Sequence, residues 1–419
     1  MKHLIHTPEG VRDIFGRECD KKRYLERKIE KKFRGFGYQS IETPSFEFFD
    51  VFSKEVGTIP SANLYKFFDR EGNTLVLRPD FTPSVARAAA MYFSEEKDPL
   101  RLCYHGNVYR NNSSYQGRLY ECTQMGVEFL NEDSPEADAE VIALVIQTMK
   151  EAGLSNYQVT IGHVDYFDAL AEEAQLDEDV IAELKHLLSI QNRFGMQELI
   201  EGLGLRRDLQ TALCTIPELF GNVDVLDRAA ECVRNDKALS AIDRLKKIYS
   251  ILEAYGCERS VTFDLGMITS YAYYTGIILS AYTFGTGDAI IKGGRYDDLL
   301  GHFGKKAPAV GFAVEIDSLL NALDRQNVQL PIADIKTMIL YPSYMEHIAI
   351  RMATDQRSKG LDIACVRFEE DKVLDHYRAY GSRNQFGGII YMRSPEEAYA
   401  INLGNNEVVK TDISAYLHE

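Results

Sequence analysis

Tyr24, Leu25, Ile29 and Phe33 recur at helical spacing in an otherwise charged stretch, which predicts an amphipathic helix over 19–36 closed by Gly35 and Gly37. Its basic residues are interleaved with acids, the pattern of a solvated helix face rather than of a nucleic-acid patch. From Leu64 to Pro79 two β-rich runs flank Asp69-Arg-Glu-Gly72-Asn, a hairpin signal. Residues 118–130 alternate as a strand: Leu119, Glu121, Thr123, Met125, Val127 and Phe129 share one face, and Tyr120, Cys122, Gln124, Gly126 and Glu128 the other. The second face sets polar groups beside a glycine, as the floor of a pocket would.

Ser134-Pro135-Glu136 reads as a cap, a first-turn proline and an early acid, opening a helix whose buried stripe is Val141, Ile142, Val145, Ile146 and Met149 before Gly153. Residues 165–255 carry almost only helical patterning, so a helical module is expected between β segments. Strand signals return at 261–266, 273–284 and 289–300, with a Gly285-Thr-Gly287-Asp288 turn, and 309–323 reads as a strand feeding a helix. Strands joined by short turns imply an antiparallel sheet with helices packed on it, an α+β fold. Beyond a boundary at 326–332, strands at 335–341, 362–367 and 387–392 alternate with helices at 345–358 and before Gly381, and a hairpin at Gly404-Asn-Asn406 closes a small α/β domain.

The 419 residues suffice for two or three domains, and 45% hydrophobic with 26% charged residues is ordinary globular composition. A formal charge of -16 disfavours nonspecific attraction to a phosphate backbone. Seven cysteines without a C-x-x-C pair suggest reduced core thiols, and nine scattered histidines suggest no metal site. No apolar run reaches the roughly 18 residues that span a bilayer, and the N-terminus lacks a signal-peptide core, so a cytosolic protein without membrane attachment is expected.

There is no G-x-S-x-G, Walker loop or G-x-G-x-x-G after a strand. Gly293-Gly294 reads either as a bulge or turn, or as a place where backbone approaches a ligand closely. His105 and His163 read as hydrogen-bonded structural residues rather than bases. What remains is a polar set in strand contexts: Arg78, Asp80, Thr82, Arg110, Gln124, Glu128, Tyr273 and Tyr274. An amino-acid pocket needs an acid for the ammonium, a cation or amide for the carboxylate and a shaped partner for the side chain, and this set contains all three.

TPEGVRD (7–13), RPDFTPSVAR (78–87), VYRNNSSYQGRLYECTQMGVEF (108–129), SYAYYTG (270–276), GGRYDDLL (293–300) and AVGFAVEIDSL (309–319) occur in this order. Over residues 1–325 the chain resembles the histidyl-tRNA synthetases. The resemblance implies a class II synthetase fold with a six- or seven-stranded antiparallel sheet, dimerisation around Pro44, a helical insertion at about 165–255, and an anticodon-binding-like domain at 331–419. It also implies a histidine pocket: Asp80 for the ammonium with Thr82 beside it, Arg110 and Gln124 near the carboxylate and ammonium, Glu128 and Tyr274 as imidazole partners, and Tyr273 as a further histidine-binding residue.

Four departures bear on ATP. Against the family pattern, Thr269 replaces a catalytic arginine, Ser318 an ATP-binding arginine, Asn112 an adenine-contacting glutamate and Glu315 a glycine, while Ala272 replaces an aspartate near the tyrosines. A lost cation at a phosphoryl transition state costs roughly 2–4 kcal/mol, so the losses together point to a pocket without its reaction centre. RPDFT, with Asp80, is also similar to a noncatalytic paralogue group, the regulatory subunits of ATP phosphoribosyltransferase. That likeness implies a short-form catalytic subunit as partner in a hetero-octamer, a homodimer through the synthetase-like domain, L-histidine as allosteric effector, no cofactor and no tRNA. Two other readings stay open: a divergent active histidyl-tRNA synthetase with Lys292 and Arg295 as compensating cations, and a synthetase-like ligase or binding module for another substrate.

Overall fold

The Tyr24–Phe33 stripe folds as Gly16–Gly35 (α1), with Leu25, Ile29 and Phe33 fully buried and Tyr24 half-buried. The structure is a computed structural model and describes residues 5–52, 60–111, 119–268, 273–332 and 336–417. The chain falls into two compact units, Met1–Asp13 with Lys22–Gln329, and Ile14–Lys21 with Leu330–Glu419.

In the first unit Gln39–Ser40 (β1) is followed by a three-stranded sheet of Phe46–Phe48 (β2), Lys66–Phe68 (β3) and Thr74–Leu77 (β4), the last two forming the expected hairpin. Asp69 closes that turn, its carboxylate accepting from the amides of Glu71 and Asn73. Thr82–Tyr92 (α2), which buries Val85, Ala86, Ala88 and Ala89, leads to the long strands Leu100–Tyr109 (β5) and Glu121–Leu130 (β6). Pro135–Glu151 (α3) begins as its sequence requires, the Ser134 hydroxyl accepting from the Ala137 amide. Its five stripe residues are wholly buried, each worth roughly 1.5–3 kcal/mol relative to exposure.

Tyr157–His163 (β7) then leads into the helical module: Val164–Glu173 (α4), Glu178–Ser189 (α5), Arg193–Gly202 (α6), Arg207–Thr215 (α7), Asp224–Cys232 (α8) and Asp236–Ala254 (α9). Helical patterning hid one detail, the two-residue strand Phe220–Gly221 (β8), which pairs with Val261–Asp264 (β9). Ile277–Thr283 (β10), Ile291–Arg295 (β11), Ala309–Glu315 (β12) and Ile316–Arg325 (α10) complete the unit.

The main sheet has nine strands, in the order β1-β5-β6-β12-β11-β10-β7-β9-β8, rather than the six or seven expected. Its centre is antiparallel, but β1 with β5 and β7 with β9 pair parallel. The extra members are short edge strands, too brief to leave a periodic signal. Gly293 and Gly294 form neither bulge nor turn: they lie in regular β11, where a Cβ on Gly294 would come within 2.8 Å of the Tyr274 ring.

The second unit carries Lys336–Tyr341 (β13), Glu346–Ser358 (α11), Ile363–Arg367 (β14), Leu374–Arg383 (α12), Phe386–Ser394 (β15), Glu397–Asn402 (β16) and Val408–Thr411 (β17). Its five strands run β14-β13-β15-β16-β17, parallel through β15 and antiparallel beyond. β13 shows why its sequence is apolar from Met338 to Tyr341: Ile339 and Tyr341 pack in one cluster with Ala349 and Met352, and Met338 and Leu340 in another with Tyr377. Among the described residues no helix is long and apolar enough to cross a membrane.

A buried ion cluster ties α3 to the sheet and to α9. Asp138 accepts from Arg295 at 2.9 and 2.7 Å and from Arg244 at 2.7 Å, and the Asp138 and Arg295 side chains are 0% and 2% exposed. Asp138→Asn should therefore cost about 3–5 kcal/mol in urea unfolding at pH 7 by removing the buried carboxylate charge that Arg295 and Arg244 share. A loss below about 1 kcal/mol would show that this cluster does not anchor the sheet.

Candidate functional site

Residues directly opposite in a sheet present side chains to the same face, so register alone assembles a floor. Across β5, β6, β12 and β11 one row reads Leu102, Glu128, Gly311, Gly294; the next reads Tyr104, Gly126, Ala313, Lys292; the third reads Gly106, Gln124, Glu315. The centre of that face is small, and it sinks into a cavity that opens to solvent. Asp80, Thr82, Arg110, Gln124, Glu128, Tyr273 and Tyr274 all line it, so seven of the eight polar candidates are brought together and Arg78 is not.

Two glycines make the depth possible. A Cβ on Gly311 would lie 2.0 Å from a Glu128 carboxylate oxygen, and one on Gly126 would lie 2.2 Å from the Tyr104 hydroxyl. The close approach explains why β6 and β12 interrupt their apolar runs with glycine.

Glu128 is 1% exposed and accepts from the Thr82 hydroxyl at 2.7 Å and from the Tyr296 hydroxyl. Burial pushes its carboxyl up to about 8, and the neighbouring Asp80 charge acts in the same direction against the hydroxyl donors. Asp80, in the turn before α2, accepts from the Phe81 amide at 2.8 Å and the Tyr273 hydroxyl at 3.3 Å. Burial raises its carboxyl too, and the charge of Arg110 opposes that rise. The Gln124 side-chain oxygen is buried on the cavity floor without a hydrogen-bond partner. A buried carbonyl of this kind carries a desolvation cost of about 1–3 kcal/mol that a ligand N–H would relieve.

Arg110 donates from Nε to the Pro79 carbonyl at 3.1 Å and from Nη1 to Glu315 at 2.7 Å. Glu315 also accepts from the Ser318 hydroxyl at 3.2 Å, so two of the departure positions meet in one bonded group. The other departures, Asn112, Thr269 and Ala272, lie outside the described residues. Of the two compensating cations considered, Lys292 lines the cavity, whereas Arg295 is bound to Asp138 and also to Asp297 at 3.1 Å, and is not part of the lining.

The remaining candidates are structural. Arg78 stacks 3.9 Å over the Phe81 ring and donates to the carbonyls of Thr43, Pro44 and Asn107, fixing the loop ahead of β2. His163 caps α4 by accepting from the Asp165 amide, and burial, with nearby Arg244, Arg295 and Lys237, lowers its imidazole to about 3. His105 sits 3.3 Å from Glu26 on α1. Among the described residues no cluster of three or more His, Cys, Asp or Glu side chains could hold a metal ion. Sequence reasoning missed Tyr296 and Gly311, although both fall in stretches it had marked, GGRYDDLL and AVGFAVEIDSL.

The nine-stranded sheet with its flanking helices is a class II synthetase-like fold, and residues 10–319 match the sequence profile of the histidyl-tRNA synthetases. A histidyl-tRNA synthetase from Nostoc sp. has the same fold at a TM-score of 0.82 over 98% of both chains, with 18% identity. Among sequence relatives, the ATP phosphoribosyltransferase regulatory subunit of Acetivibrio thermocellus is 40% identical over 99% of this chain and 98% of its own. A crystal structure described as an ATP phosphoribosyltransferase regulatory subunit/histidyl-tRNA synthetase from Bacillus halodurans superposes at a TM-score of 0.83 with 33% identity, covering 93% of this chain and 98% of that one. The chain belongs to the family of ATP phosphoribosyltransferase regulatory subunits.

The Glu128 carboxyl yields a sign-definite pH test. Its folded value of about 8 stands above the ordinary 4.5, so its contribution to stability is complete below the lower value and disappears as pH rises through the upper. Within that window it subtracts about 1.4 kcal/mol of stability per pH unit. Glu128→Gln should remove the slope, so the stability of E128Q relative to wild type should climb by about that amount per unit between about pH 5 and 7.5 in urea titrations. A difference independent of pH would mean that Glu128 is ionised in the folded protein.

Proposed function

We propose that this chain is the noncatalytic regulatory subunit of an ATP phosphoribosyltransferase, which binds free L-histidine in the Asp80–Glu128 cavity and conveys its occupancy to a separate short catalytic subunit. The observation that carries the reading is the charge of the lining. With Glu128 protonated near neutral pH, Asp80 and Glu315 face Arg110 and Lys292, two acids against two bases. A zwitterion suits such a lining; a triphosphate does not.

In this reading the ligand ammonium meets Asp80 and the unpartnered Gln124 oxygen, the carboxylate lies towards Arg110, and the imidazole meets Glu128 and Tyr274. Thr82 acts through Glu128, to which its hydroxyl is bonded, and Tyr273 through Asp80. The effect of histidine on the partner is then a coupling free energy between two sites.

Homodimerisation around Pro44 and a hetero-octamer with the catalytic subunit belong to the same proposal. Phe46, Phe48 and Phe67 support it, sharing one face of the β2-β4-β3 sheet at 52%, 56% and 37% exposure. For residues 331–419 we propose an anticodon-binding-like module that no longer serves tRNA, in keeping with its excess of acidic over basic side chains.

Reconstitution with the short catalytic subunit tests the reading. Phosphoribosyl transfer should require this chain and fall on adding L-histidine. Glu128→Ala should raise the histidine concentration needed for inhibition roughly 10- to 100-fold, the loss of one hydrogen bond to a charged or strongly polar group, without changing the mass of the assembly. Unchanged inhibition would remove the pocket assignment. The purified chain should also fail to exchange pyrophosphate into ATP with histidine present; exchange at ordinary synthetase rates would make it an active ligase.

A further inference from the structure

Glu315 ends β12 and occupies the cap position of α10, with extended backbone at φ −88° and ψ 105°. A side chain there usually turns back onto the free amides of the first helical turn, but that of Glu315 makes no such bond. It reaches over the cavity edge to Arg110 at 2.7 Å instead, while Ser318 donates to its second oxygen at 3.2 Å and its own amide donates to the Ile290 carbonyl at 3.0 Å. Asp317, the other acid of that turn, is committed elsewhere: it is buried and accepts from Lys22 at 2.8 Å and from the Thr123 amide at 2.7 Å.

A guanidinium beside a helix N-terminus, at the rim of a cavity, is where a phosphoryl oxygen would be held. In this chain a carboxylate of the protein already holds that place, at the high local concentration that covalent attachment provides. We propose that Glu315 is a built-in anion that shares Arg110 with a ligand carboxylate and makes the cavity selective against the more highly charged phosphorylated ligands. The proposal rests on the cavity being a ligand site, as above, but it concerns which anions are refused rather than which amino acid is accepted.

Titration calorimetry of the full-length chain with inorganic pyrophosphate tests it, with L-histidine titrated separately. Wild type should bind pyrophosphate weakly or not at all. Glu315→Ala should bind it at least about tenfold more tightly, the gain should shrink with added salt, and Arg110→Ala in the same chain should abolish it. A folded Glu315→Ala protein with no gain, or a gain that survives loss of Arg110, would overturn the proposal. Should Glu315→Ala fail to fold, Ser318→Ala releases one support of the carboxylate and should give a two- to threefold gain, roughly; none would also overturn it. The histidine arm separates the two ideas: wild type that fails to bind histidine removes the amino-acid reading, while the pyrophosphate comparison still decides the role of Glu315.

Discussion

Desolvation of carboxylates gathered around one sheet face is the constraint on which the site depends. Glu128 and Asp80 are nearly inaccessible and are surrounded by hydroxyls, a backbone amide and one arginine shared with a third acid. Burying charge on such terms is expensive, and the protein meets the expense by protonating Glu128 and placing donors on every carboxylate. The glycine opposite Glu128 leaves room for its side chain, and the Asp138–Arg295–Arg244 cluster ties β11 to the helices behind it. A cavity made this way is charge-balanced, and the proposed function rests on that balance.

That balance also separates two functions of one fold. A ligase that activates an amino acid with ATP must hold a polyanion over the same floor, with cations that are not otherwise engaged. Here Arg110 is paired to Glu315, and Arg295 is sealed under Asp138. The fold is shared with a synthetase at 18% identity, so architecture alone does not choose between the functions; in the reading proposed here, the side chains at the cavity rim do.

Much of this was legible in the sequence because periodicity and alternation are local. The strand over 118–130 named its pocket face correctly: Gln124 and Glu128 lie on the cavity floor, with Gly126 between them on the same face. The Ser134-Pro135 cap, the Asp69 turn and the α/β rhythm beyond 330 are equally local signals. What escaped was set by long-range pairing. β8 is two residues long and exists only because β9 lies beside it. Tyr296 reaches Glu128 from 168 positions away, and the glycines at 293 and 294 read either as a bulge or turn or as a close approach to a ligand, although close packing in mid-sheet requires them. Arg78 and Arg295 looked like ligand cations because their spacing carries no record of the carbonyls and carboxylate that occupy them.

The most direct test of the account is a crystal structure of the full chain grown with both L-histidine and ATP. The account predicts histidine ordered among Asp80, Gln124 and Glu128, the Glu315–Arg110 pair unbroken, and no nucleotide over the sheet. An ordered triphosphate gripped by Arg110 and Lys292, with Glu315 swung aside, would contradict it.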